Sequence, residues 1–140
     1  MVDIATRRSA VVSAPAAKVL VVEDDDGMRA AIERLLDAGG YRCRAYPSAD
    51  ALLARGVEDD AACVISDLRL PGMSGLELLA ALRERHILLP FVLITAHDAP
   101  GLREKVMSCG AAAYLVKPFR GTVLLDAVRC AIEPAPTCAP

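Results

Sequence analysis

The chain carries no basic run. Its 16 Lys and Arg residues are scattered among 18 Asp and Glu, for a net charge of −2 over 140 residues. Contact with a phosphate backbone needs a positive face or stripe, so direct nucleic-acid binding is not expected. No apolar stretch approaches the roughly 20 residues of a membrane span. The opening MVDIATRRSAVVSAPAAK has too short an apolar part, and an ill-placed Asp3, for a secretion signal, and residues 1–17 read as a disordered tail. The 5 cysteines are odd in number and form no CxxC pair, which argues against a disulfide framework or a zinc knuckle. Reduced thiols in a cytoplasmic protein fit better. His86 and His97 have no partner pattern and read as surface residues. No internal repeat is visible, and the length suits one domain.

What is present is an alternation. KVLVV from Lys18 is a β-branched and Leu run, as expected of a strand buried on both faces. Met28, Ile32, Leu35 and Leu36 recur at helical spacing, and AGG at 38–40 stops that helix. YRCRAY reads as a half-exposed strand, Ser48 to Arg55 as a short helix and AACVIS as a second buried strand. LPGMSG is a loop by its Pro and Gly. Ser74 with Glu77 makes a capping box for a helix whose buried stripe is Leu78, Leu79 and Leu82. FVLIT is a further buried strand, Ala99 to Cys109 a weakly patterned helix ended by Gly110, and AAYLV the last strand. Val123, Leu124, Ala127, Val128 and Ala131 mark a final amphipathic helix. The tail EPAPTCAP, residues 133–140, cannot continue it. Five strands alternating with five helices predict an α/β fold, a parallel sheet covered on both sides.

In open parallel sheets ligands bind at the carboxyl ends of the strands. Glu23 and Asp24 follow the first strand, Asp67 the third, Thr95 ends the fourth and Lys117 the fifth. Three converging carboxylates would raise one another's pKa. A hard divalent cation removes that cost, and carboxylate oxygens plus water suit Mg²⁺. The run EDDD at 23–26 therefore divides: Glu23 and Asp24 hold the metal, while Asp25 and Asp26 cap the following helix. A metal beside a strand-end Asp, with a Lys and a Thr opposite, suits phosphoryl transfer to that Asp.

These residues carry a resemblance. SDLRLPGMSGLELL, PFVLITAHD and AAYLVKPF resemble two-component response-regulator receiver domains over Lys18 to Ile132, and KPFRGTVLLDAVRCAIE is most similar to the nitrogen-fixation regulator subfamily, whose full members carry a helix-turn-helix output. The resemblance implies a single doubly wound five-stranded sheet in the order 2-1-3-4-5, over residues 18–132. It implies Asp67 as phospho-acceptor, Asp24 as a direct Mg²⁺ ligand, Glu23 acting through metal-bound water and the Arg69 backbone carbonyl as a further ligand. Thr95 and Lys117 would contact the phosphoryl group, the Lys117–Pro118 peptide would be cis, and Tyr114 would be the aromatic switch. Departures are Glu23 where Asp is commoner, the long cation Arg69 at the mouth of the site, and Pro100 with Gly101 weakening the start of the fourth helix.

The function so implied is a phosphorylation-activated switch and not an enzyme, with a sensor histidine kinase as donor. Its readout would be the surface of the fourth helix, fifth strand and fifth helix, through a homodimer or a downstream protein. The residues after Ile132 are too few for an output domain, which leaves a stand-alone receiver or a fragment of a transcriptional regulator. Two other readings compete: an unphosphorylated receiver-like interaction module, and a haloacid-dehalogenase-like Mg²⁺ phosphatase. The latter needs an acid two residues after the nucleophile, where Arg69 stands.

Overall fold

The computed structural model describes residues 16–133. Ten elements alternate: β1 Lys18–Val22, α1 Asp26–Ala38, β2 Arg42–Tyr46, α2 Ala49–Arg55, β3 Ala61–Asp67, α3 Gly75–Glu84, β4 Phe91–Thr95, α4 Leu102–Ser108, β5 Ala113–Val116 and α5 Gly121–Ile132. The strands form one parallel sheet in the order β2-β1-β3-β4-β5. This is the 2-1-3-4-5 arrangement that the resemblance implied. The expected tails at 1–17 and 133–140 lie, apart from residues 16, 17 and 133, outside the described residues.

Alternation along each strand builds two cores. Leu20, Val22, Val64, Phe91, Leu93 and Tyr114 face one side and pack with Leu52 of α2, Leu78, Leu79 and Leu82 of α3 and Val106 of α4. Val19, Val21, Cys63, Ile65, Val92 and Ile94 face the other and meet Ile32 and Leu36 of α1 and Leu124 and Val128 of α5. β1 and β4 are buried along nearly their whole length, whereas β2 is an edge strand and correspondingly half-exposed. Each fully buried Leu or Ile contributes about 2 kcal/mol relative to exposure, so the two layers hold the sheet from both faces.

The helix ends follow local chemistry. Asp25 caps α1 by accepting from the Met28 amide, and Ser48 caps α2 by accepting from the Ala51 amide. Ser74 and Glu77 close the expected capping box on α3. α4 departs from the sequence reading. It begins at Leu102, not Ala99, because Pro100 and the left-handed Gly101 (φ 79°) delay it, and it has no side-chain cap. At the opposite end of the sheet from the strand carboxyl termini, Lys18 pairs with Glu58 and Asp60, Arg42 with Asp60 and Arg44 with Glu58.

Candidate functional site

Each central strand delivers a chemical group to one rim. The parallel register sets Val22 beside Ser66, Asp67 beside Ile94 and Thr95 beside Val116. Glu23, Asp67, Thr95 and Lys117 therefore emerge at neighbouring strand ends, although up to 94 residues separate them in sequence.

At the centre is an ammonium held between acids. Lys117 Nζ donates to Glu23 Oε1 at 3.0 Å and to Asp67 Oδ2 at 3.3 Å. Glu23 is 1% exposed and Asp67 is also buried. Burial pushes the Glu23 carboxyl above its ordinary value, against the bonds from Lys117 and the Asp25 amide, and the Asp67 charge adds to the rise. For Lys117, burial pulls the ammonium down, but the bond to Glu23 and the charges of Asp67 and Glu23 outweigh it and leave the pKa raised. The lysine thus stays charged and serves as the built-in counter-ion of a buried acid pair.

The turn after β1 is tied in place. Glu23 Oε2 accepts from the Asp25 amide at 3.2 Å. Arg29 Nη1 donates to the Glu23 carbonyl at 2.9 Å and its Nη2 to Asp26 Oδ1 at 2.6 Å. The four acids split between rim and helix cap as their spacing suggests. Arg29 was missed in the sequence reading. Its spacing from Asp26 was the available signal, while its reach to Glu23 needs the fold.

One oxygen each of Glu23, Asp24 and Asp67 lie within 4.8 Å of one another. Two of these acids are buried and Asp24 is exposed. An all-oxygen set with one side open to water is the donor chemistry a small hard cation prefers, so the residues present fit Mg²⁺. Arg69 is exposed just beyond β3.

Thr95 is fully buried, and its Oγ1 accepts from the His97 amide at 3.0 Å, which leaves its own hydrogen available to donate. The Asp67 backbone is clamped as well. Ser66 Oγ donates to the Asp67 carbonyl at 2.9 Å, and the Gly75 amide donates to the Leu68 carbonyl at 2.9 Å. A Cβ on Gly75 would collide with that same Asp67 carbonyl, so only glycine lets α3 start this close to the acid. A glycine immediately after a helix-capping serine was the sequence signal for this, and it was read only as loop.

Tyr114 on β5 is 5% exposed, and its hydroxyl donates to Asp98 Oδ1 at 2.6 Å. Burial and the Asp98 carboxylate push the phenol up to about 12. The Lys117–Pro118 peptide is cis. His86 and His97 are exposed.

A family described as response regulator receiver domain matches residues 19–129. The response regulator protein FleR of Pseudomonas aeruginosa is 45% identical over 113 residues, 81% of this chain and 24% of that protein. The transcriptional regulatory protein FixJ of Azorhizobium caulinodans is 38% identical over 114 residues, 81% of this chain and 54% of that protein. The chain thus spans between about a quarter and about half the length of these relatives. Among solved structures, a response regulator receiver domain protein from Clostridium thermocellum superposes with a TM-score of 0.79 at 27% identity, covering 84% of this chain and 95% of that one. The FixJ-N crystal structure gives 0.75 at 32% identity, covering 84% and 94%.

Proposed function

The chain belongs to the response regulator receiver domain family, and from that premise we propose that it takes a phosphoryl group onto Asp67 from a sensor histidine kinase in the cytoplasm. The receiver is a phosphorylation-activated signalling module of two-component systems, and the unit that carries it here is residues 18–132. The observation that most supports the acceptor assignment is the Lys117 ammonium shared between buried Glu23 and Asp67.

Asp24 and Asp67 would hold Mg²⁺ directly, with the Arg69 carbonyl as a third protein ligand and Glu23 acting through metal-bound water. Held by these residues, the ion would supply charge neutralisation at the phosphoryl oxygens. An Asp67 carboxylate oxygen bonds to phosphorus as the bond from phosphorus to the donor's imidazole nitrogen breaks, and the product is an acyl phosphate. Lys117 turns from the Asp67 carboxylate to a phosphoryl oxygen, and Thr95 donates its free hydrogen to another. The pull on Thr95 and the packing of Tyr114 then shift the population of the α4–β5–α5 surface, which serves a downstream protein, a DNA-binding output or a homodimer.

Incubation with acetyl phosphate tests this. In Mg²⁺ the intact mass should rise by one phosphoryl group, and EDTA or Asp67→Ala should abolish the gain. A gain retained in Asp67→Ala would move the acceptor elsewhere.

A further inference from the structure

We infer that Asp98 is a positioning residue for Tyr114, a carboxylate latch that holds the ring buried before any phosphoryl group arrives. The inference rests on the reading of Tyr114 as the switch. Asp98 lies three residues beyond Thr95 on the loop that leads to α4, so it shares a segment with the hydroxyl that would meet the phosphoryl group. Its Oδ1 takes the Tyr114 hydroxyl at 2.6 Å and the Ala99 amide at 3.0 Å. An O–H bond to a carboxylate of that length is in the charge-assisted range. A second contact closes the ring from α4. Arg103 places its guanidinium 6.0 Å from the ring centroid, and its Nη1 reaches the Tyr114 carbonyl at 3.5 Å. Phenol, carboxylate and guanidinium thus tie β5 and α4, two parts of the readout surface, to the β4–α4 loop that follows Thr95.

The start of α4 is weakly built. The helix has 7 residues, a left-handed glycine at its N-cap and no side-chain cap. Val106 anchors the middle of the helix in the core, while its weak start is tied to Tyr114 by Asp98 and Arg103. The latch biases the surface toward its buried-tyrosine arrangement, so phosphorylation has less of the shift left to supply.

The test is tyrosine acetylation with N-acetylimidazole, read by peptide mass spectrometry, with half-buried Tyr41 as internal reference and Asp67 phosphorylation followed on the same samples. In Asp98→Ala without phosphodonor, Tyr114 should react about tenfold faster than in the wild type, equivalent to about 1.4 kcal/mol. Tyr41 should be unchanged and Asp98→Asn should fall between. Acetyl phosphate with Mg²⁺ should return most of the protection to Asp98→Ala. An unchanged Tyr114 rate in Asp98→Ala, with Asp67 still phosphorylated, would overturn the latch and spare the acceptor reading. Parallel acceleration of Tyr114 and Tyr41 would overturn it too, because Asp98 would then support the fold in general. A wild-type chain that takes no phosphoryl group would contradict the switch reading and, with it, the role given to the latch.

Discussion

At the scale of single residues, charge balance decides what the site can do. Glu23 and Asp67 are buried side by side, and Lys117 is the protein group that compensates both. Removing one partner of a buried pair leaves the other charge stranded. Lys117→Met should therefore slow phosphoryl uptake from acetyl phosphate about a hundredfold, the usual cost of losing a fixed charge at a transferring group. Initial rates by intact mass would show it, and a wild-type rate would take Lys117 out of the mechanism. A second prediction concerns Cys63, fully buried in β3, whose thiol burial pushes up to about 12 from 9.0. The folded state keeps this proton where the unfolded chain releases it. Its stabilising contribution is complete below pH 9 and is lost as pH rises toward 12. Iodoacetamide at pH 8.5 should therefore label exposed Cys109 and spare Cys63 until urea unfolds the chain. Native labelling of Cys63 would contradict its placement in the core.

At the scale of elements, the helix starts carry the contrast between what the sequence shows and what it hides. The α3 capping box was readable because both partners lie within one turn. So were the buried strands, whose apolar runs need no partner to be recognised. The delayed start of α4 was half readable: Pro100 and Gly101 announced weakness, but the shift to Leu102 depends on the left-handed turn they make. Asp98 on Tyr114 could not be read, because that contact exists only after β4 and β5 have been paired, and Arg29 on Glu23 depends on the path of the turn from β1 into α1. The press of α3 on the acceptor had a sequence signal in Gly75 after the capping Ser74, but its target, the Asp67 carbonyl, shows only in the folded turn. Gly75→Ala should destabilise the chain by about 2 kcal/mol in urea titration, as an overpacked position does, and should slow phosphorylation by displacing the Asp67 backbone. A variant as stable and as active as the wild type would show that this approach is slack. Hydrogen exchange supplies a further check. The first-turn amides of α4 should exchange faster than those of the boxed α3, in line with local opening where caps and contacts are few, and equal protection would contradict a weakly anchored α4.

At the scale of the whole molecule, two apolar layers clamp a five-stranded sheet and leave its carboxyl rim to chemistry. The alternation of elements was enough to predict this arrangement, since sheet topology of this kind places ligands at that rim. Among the described residues, no helix is long and apolar enough to cross a membrane. With Mg²⁺ held by the acid cluster as proposed, the fold's stability would depend on the cation, because a ligand held only by the native state stabilises it by mass action. Millimolar Mg²⁺ should raise the melting temperature of the wild type and leave that of Asp24→Asn unmoved; an equal rise in both would place the ion elsewhere. The central claim is that one strand-end carboxylate becomes an acyl phosphate, and borohydride trapping addresses it most directly. Reduction of the phosphorylated chain converts the acceptor side chain to a primary alcohol, which peptide mapping locates. The expected result is conversion at Asp67 and at no other acid. Conversion at Asp24 or elsewhere, or none despite a full phosphoryl mass gain, would contradict it.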